Sequence, residues 1–426
     1  MPVELSAIPA SRKVHAQPSS RLAWGIAFVV WMTVWVAATL WFWPAGESTH
    51  SWHFWAILCE LPVVLFAIAY CIPLIWYQFE RNSVVCHNVA VGYVSRTTVA
   101  YGQEPLLVIG STYSTALGVS DVARKVIAGR TLLGARVGEG KNGEAVRCTR
   151  LPAVQMPGEG PEVSGTSKQA PELFDRYVTT IDGLLTAIAP VAARLTDRVP
   201  LRLRVCVPDD VDAKSLTGRA ERRARELGVV ADDAASVPVQ EGVMLLDTWL
   251  DQPPGRQSDC YTLVLAVQLY AIPPENGGEA AVGLLIGGPA LTGSGAVSPI
   301  GKLHRPVSGA ADRSSDVLAD AIRWGGGDIN QAERAWLSGL TRESHPVFEM
   351  MQGTPVSGRP RDDEQVIPAD IDAAIGGAGI ASGWLAIALA TENQTKTGRQ
   401  QLWATGSINS LQIGAISAMA NHHGQR

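Results

Sequence analysis

The sequence predicts an α/β domain carried behind a pair of membrane-spanning helices. Three observations predict it. Two apolar stretches of spanning length stand close together near the start, eight of the thirteen tryptophans fall between Trp24 and Trp76, and from Ser83 onward short apolar runs alternate with helical patterns. The 426-residue chain is 46% hydrophobic and has room for about two structural units, and its net charge of −5 gives no basis for nucleic-acid binding.

Leu22 to Trp43 is uncharged and about as long as the ~20 residues a helix needs to cross hydrocarbon. Trp52 to Phe79 is a second such stretch, interrupted by Glu60, Pro62 and Pro73, and "PAGESTHS" between them supplies a turn. The first run is too long for a signal sequence, and no small-residue cleavage site leads to a soluble start. Arg12, Lys13 and Arg21 precede the first span and Arg81 follows the second, while the turn has no Lys or Arg. That asymmetry puts both ends in the cytoplasm, and Trp24, Trp41, Trp43, Trp52, Trp76 and Tyr77 fit an interfacial belt. Glu60 reads as a carboxyl that is neutral or near the headgroups. The expected organisation is a cytoplasmic tail over 1–20, a transmembrane hairpin over 21–80 and a cytoplasmic domain over 84–426.

Within that domain, "PLLVIG" (105–110) is a buried strand, and "SDVARKVIAG" after it is a helix capped by Ser120 and ended by Gly129. Gly138 to Ala170 is rich in Gly, Pro, Glu and Ser and reads as a loop or insertion. "ELFDRYVTTIDGLLTAIAPVAARL" (172–195) is amphipathic, with Phe174, Tyr177, Ile181, Leu184, Leu185 and Ile188 on one side. "PLRLRVCVP" (200–208) alternates as a strand, and "LTGRAERRARELG" (216–228) is a charged, exposed helix. "YTLVLAVQLY" (261–270) and "EAAVGLLIGG" (279–288) are buried strands joined by the turn "PPENGG". "SSDVLADAIRW" (314–324) is a helix with Val317, Leu318, Ala321 and Ile322 inward; a final strand is "QLWATGSINS", and no tandem repeat of constant period occurs.

Most searches for chemistry come out negative. Cys59, Cys71, Cys86, Cys148, Cys206 and Cys260 form no CxxC or Cys/His cluster, so neither a zinc site nor a disulfide framework is expected, and no metal or cofactor is implied. There is no GxxxxGK[ST], HExxH or GxSxG. In "IGGAGIASGWLAIALA" (375–390) the spacing Gly377, Gly379, Gly383 is one residue too wide for a dinucleotide loop, and only the C-terminal tail follows it. The glycines fit instead a tight corner into a helix that begins near Ser382 and approaches a sheet closely.

These segments resemble a known family. "PLLVIGSTYSTALGVSDVARKVIAGRTLLG" is similar to the opening of β-ketoacyl synthases of the thiolase-like superfamily, with a Thr-x-Leu-Gly turn at Thr115, Leu117 and Gly118 and Ala-Gly-Arg at Ala128, Gly129 and Arg130. "GEAAVGLLIG" (278–287) resembles the GEGAGxLVLE strand that starts the second half of those enzymes, and "IGGAGIASG" resembles their IGHTxGAAG corner, with Gly376, Ala381 and Gly383 in register. The matches keep family order from about residue 105 to 410. They imply a layered αβαβα domain whose second half starts at about residue 278.

The departures matter as much. Such synthases use a Cys nucleophile at the start of a buried helix, two histidines and a supporting Lys. Here Gly377 stands at one histidine position, Asp372 at the lysine, and "LSGLT" (337–341) puts Leu337 at the other histidine. No Cys stands near "VMLLDTWLD" (243–251), where the nucleophile helix is expected. Cys260 precedes a strand and reads as a packed thiol. His304 in "KLHRP" and His345 in "ESHP" read as ordinary surface or loop histidines. The resemblance therefore implies a noncatalytic adaptor or scaffold at a bacterial inner membrane, with a protein partner, the family's homodimer, and accessory roles in type VI secretion. The competing readings are an acyltransferase acting on membrane lipids through Cys260, His304 or His345, and a membrane immunity protein.

Overall fold

The computed structural model describes residues 8–14, 20–44, 46–152, 173–195, 199–252, 259–291, 297–327, 332–340, 366–407 and 410–419. The chain divides into two compact units, Met1–Ala100 and Tyr101–Arg426.

The first unit is built on α1 (Arg21–Phe42) and α2 (Trp52–Gly102), both long and apolar enough to cross a membrane. Trp24 packs edge-on against Phe66 and Tyr70, at 5.6 and 5.2 Å, and Phe28 meets Phe66 at 5.0 Å. In α2, Ala56–Glu60 is a π-helical turn in which the N–H of Leu61 reaches back to the carbonyl of Ala56. The next residue is Pro62, which has no N–H to give, so the carbonyl of Ile57 is left over. The indole of Trp35 donates to it at 2.8 Å, and that of Trp31 to the carbonyl of Pro62 at 3.0 Å. In hydrocarbon no water could do this. α2 also continues past residue 84, where the β-branched stretch "SVVCHNVAVGYVSRTTVA" reads as the start of alternating structure. A single Gly92 and no proline between Pro73 and Gly102 leave nothing to stop the helix.

The second unit contains β1 (Leu106–Thr115), α3 (Val122–Ile127), β2 (Gly134–Arg136), β3 (Val146–Thr149), α4 (Leu173–Ala192), β4 (Leu201–Cys206), α5 (Ala213–Glu226) and β5 (Asp233–Ser236). Then follow α6 (Leu245–Leu250), β6 (Tyr261–Gln268), β7 (Gly277–Gly278), β8 (Ala280–Gly287), β9 (Gly301–Leu303), β10 (Val307–Ala310) and α7 (Ser314–Trp324). β11 (Ala332–Ser338), β12 (Ile367–Asp370), α8 (Ile371–Ile375), α9 (Ser382–Thr397), β13 (Gln400–Ser407) and β14 (Ser410–Ser417) complete it.

The main sheet runs β12-β11-β13-β14-β9-β1-β8-β6-β4-β5, with β10 beside β14. It holds a duplication that the sequence does not show. In the first half β4 is parallel to β5 and β6, and β8 is antiparallel to β6 and β1. In the second half β11 is parallel to β12 and β13, and β14 is antiparallel to β13 and β9. Counted from its own first strand, each half has the order 1-5-4-2-3, and the halves join through β1 and β9.

The apolar runs of β1, β6 and β8 are buried on both faces because each feeds two cores. Leu106, Val108, Val264, Ala266, Val282 and Leu284 face the core around α9. Leu107, Ile109, Leu263, Leu265, Ala281 and Leu285 face the core under α4 and α5. α9 touches β1 and β8 from one half and β11 and β13 from the other, while α7 lies on β10 and β14, which makes five layers.

Three local expectations change. Ser120 does not cap α3: Asp121 is the N-cap, at φ +55°, without a side-chain cap bond. The first free N–H groups go to distant partners, Val122 to the Tyr113 hydroxyl at 3.2 Å and Ala123 to the Glu392 carboxylate at 3.1 Å. Part of the expected 138–170 loop is β3, because Cys148 and Thr149 pair with Gly277 and Gly278; residues 153–172 lie outside the described residues. The final strand is followed by a second, β14.

Trp35→Phe removes the side-chain donor at the Ile57 carbonyl, at a cost of about 1 kcal/mol. The expected outcome is a lower midpoint of SDS-induced unfolding for the full chain in detergent, with no change for Trp41→Phe, whose side chain is exposed.

Candidate functional site

The glycine corner ahead of α9 is held from two sides. The Gly377 N–H donates to the carbonyl of Asn276 at 2.8 Å, and its own carbonyl accepts from the Gly278 N–H at 2.9 Å. The Gln268 side-chain oxygen accepts the Ile380 N–H at 3.2 Å. Gly379 sits at φ +50°, and a Cβ there would lie 2.4 Å from that Gln268 oxygen. A Cβ on Gly383 would meet Val243 at 2.7 Å and Thr405 at 3.1 Å. Beside the corner is a cavity of about 470 Å³ lined by Val243, Gly379, Gly383, Thr405, Gly406 and Gln412. The turn before α6 opens on it, and residues 241–244 there are Glu, Gly, Val and Met.

Asp372, on α8, is buried behind this corner. Its carboxylate accepts from the Ser338 hydroxyl and from the Gly339 N–H, each at 2.7 Å. Burial lifts its pKa from 3.8 to about 6, although both hydrogen bonds favour the charged form. Gly339 allows the turn after β11: its φ is +69°, and a Cβ would lie 3.2 Å from the Gly406 carbonyl. Leu337, just before, is buried in β11 opposite Asp370 of β12. The structure thus joins Asp372 to the 337–339 turn, while Gly377 is tied to the β7 strand.

The other candidates lie elsewhere. Cys260 is buried at the mouth of β6, and burial pushes its thiol pKa up, away from thiolate chemistry. Of the two readings for His304, surface or loop, the loop holds and the surface does not: it lies between β9 and β10 and is buried. Its Nε2 lies 2.7 Å from the Ser417 hydroxyl, and burial lowers its pKa to about 4. It follows β9, where its N–H pairs with Ala415 of β14, so strand pairing draws it inward. His345 lies outside the described residues.

Sequence reasoning missed two buried charge clusters. Glu279, fully buried ahead of β8, accepts from Arg150 at 2.7 Å, Arg176 at 2.6 Å and the N–H groups of Tyr270 and Leu151 at 3.1 and 3.0 Å. Arg305 reaches Asp247 at 2.5 Å and Asp251 at 2.8 Å, with its guanidinium 5.5 Å from the Tyr101 ring centroid. A carboxylate heading the apolar run "AAVGLLIG" was the available signal for the first. For the second, the i, i+4 pair Asp247 and Asp251 on a short apolar helix was available.

No family model and no curated protein sequence matches the chain. Solved structures do. The ketosynthase from module 6 of the bacillaene synthase from Bacillus subtilis 168 superposes with a TM-score of 0.54 at 10% identity, over 74% of this chain and 72% of that one. An oxazolomycin ketosynthase domain from Streptomyces albus JA3453 gives 0.50 at 10% identity, over 76% and 77%. Together with the layered duplication, this defines the fold class as thiolase-like. Within it the likeness is to the ketosynthase type, and at such identities it is a likeness of fold.

Two outcomes follow. Gly379→Val or Gly383→Val forces a branched side chain into a left-handed or filled position, at about 1–3 kcal/mol; both should lower folding yield and melting temperature of the full chain. Asp372 is neutral in both folded and unfolded chains below pH 3.8. Its stabilising contribution is complete there and is lost as the pH rises through about 6, a difference of about 3 kcal/mol. Asp372→Asn should therefore match the wild type near pH 4 and melt higher than it at pH 8; equal melting at both values would refute the assignment.

Proposed function

We propose that the chain is a membrane-anchored, noncatalytic thiolase-like scaffold that holds a protein partner at the cytoplasmic face of a bacterial inner membrane. In this reading residues 22–43 and 52–79 span the bilayer, both termini and the large unit are cytoplasmic, and the orientation follows the Lys/Arg asymmetry around the spans. The partner is a secretion effector or a component of a type VI apparatus.

One observation carries the reading. At the position the resemblance gives to a lysine stands a buried carboxylate already engaged with Ser338 and Gly339. The neighbouring positions agree with it: Gly377 has no side chain to hold a proton, and residues 241–244 supply no thiol or hydroxyl. Acyl condensation needs nucleophile, oxyanion donors and proton-handling groups together, and loss of any one costs orders of magnitude. The catalytic reading keeps one point in its favour, the cavity of about 470 Å³ beside the corner.

The test is twofold. Full-length protein treated with a labelled acyl thioester should show no stoichiometric adduct, and acylation of Cys260 would transfer the assignment to an enzyme. Crosslinking in native membranes should recover a protein partner above the background of an unrelated membrane protein; recovery of none would overturn the scaffold.

A further inference from the structure

The covered side of α2 is the one that meets α1, through Phe66 and Tyr70. The opposite side carries a second row with a different period. Leu65, Ile72, Phe79, Cys86 and Tyr93 recur every seven residues, and Ile68, Ile75, Asn82 and Val89 interleave with them at steps of three and four. All nine are exposed, the apolar side chains other than Cys86 between 40 and 72%. A seam of spacing 3, 4, 3, 4 over four heptads has a period of 3.5, not the 3.6 of a single straight helix, and it lies flat only against a supercoiled neighbour.

In the proposed membrane topology, on which the inference rests, the distal part of this row lies beyond the bilayer. Trp52–Phe79 at ~1.5 Å per residue already exceeds the ~30 Å hydrocarbon thickness. Residues 82–95 nonetheless contain no Asp, Glu, Lys or Arg, which is not the composition of a helix facing water on its free side.

We infer that α2 pairs with α2 of a second copy of this chain as a parallel, in-register two-stranded coiled coil through the row Leu65 to Tyr93. The occupant is a second copy for three reasons. The row winds slowly around α2, and two copies supercoiled about a common two-fold axis present the same row to each other, which makes it self-complementary. Copies inserted in the same bilayer point the same way, which makes the pair parallel. Asn82, the one side-chain amide in the row, meets its own equivalent only in the in-register pair, where two side-chain amides bond each other and every shifted register buries them unpaired. α1 does not compete, since it occupies the other face.

The test uses full-length protein with Cys59→Ser and Cys71→Ser, in detergent and in native membranes. Oxidation should join two copies through Cys86. With Cys86→Ser added, Val89→Cys should crosslink as well, whereas Val91→Cys, off the row, should react at least tenfold more slowly. Light scattering should give a dimer mass, and Val89→Glu should abolish the Cys86 crosslink. A monomer mass, equal rates at 89 and 91, a Cys86 crosslink that survives Val89→Glu, or an adduct with a different polypeptide would each overturn the pairing. Should Val89→Glu fail to fold, the comparison of 89 with 91 decides by itself.

Discussion

A helix without a polar face organises the second unit. From Ser382 to Ala390 every residue of α9 is buried, and the helix touches strands of both sheet halves. It has no water-facing side on which to place charge, so its polar groups collect at its far end. There Asn393 donates to the Gln401 side-chain oxygen at 3.0 Å, Trp336 donates to the same oxygen at 3.2 Å, and Gln401 donates to Glu333 at 3.0 Å. Its near end has to enter between sheets, which leaves space only for glycine at 379 and 383. The strands on either side must then be apolar on two faces, as β6 and β8 are throughout.

That constraint accounts for the glycines of the corner. Close approach of α9 to Gln268, Val243 and Thr405 requires the glycines whatever chemistry the corner performs. The buried charges are compensated. Glu279 and Arg305 are each buried, and each has two opposite charges, as a buried ion must to offset its desolvation. Asp372 has hydrogen-bond donors but, among the described residues, no paired cation, and burial raises its pKa.

The first unit obeys the same accounting. Pro62 removes one donor from α2, the π turn moves the deficit to Ile57, and Trp35 supplies the missing bond. The tryptophans of this unit therefore divide into those of the expected interfacial belt and those within the spans. Trp41, Trp52 and Trp76 are exposed, whereas Trp31 and Trp35 cross-link the hairpin.

The sequence alone determined what depends on local pattern: the two apolar helices, the strands of β1, β4, β6, β8 and β13, the amphipathic α4, and the glycine corner before Ser382. Their period and composition report the burial of each face, so they read correctly without neighbours. Tertiary structure decided whatever depends on residues far apart in the chain. Tyr113 and Glu392 cap α3 in place of Ser120, and pairing with β14 buries His304. Asp372 finds Ser338 across 34 positions, and the repeated strand order appears although no residue period marks it. Hydrogen-bond partners and sheet neighbours are set by where the chain returns in space, and side-chain periodicity carries no record of that.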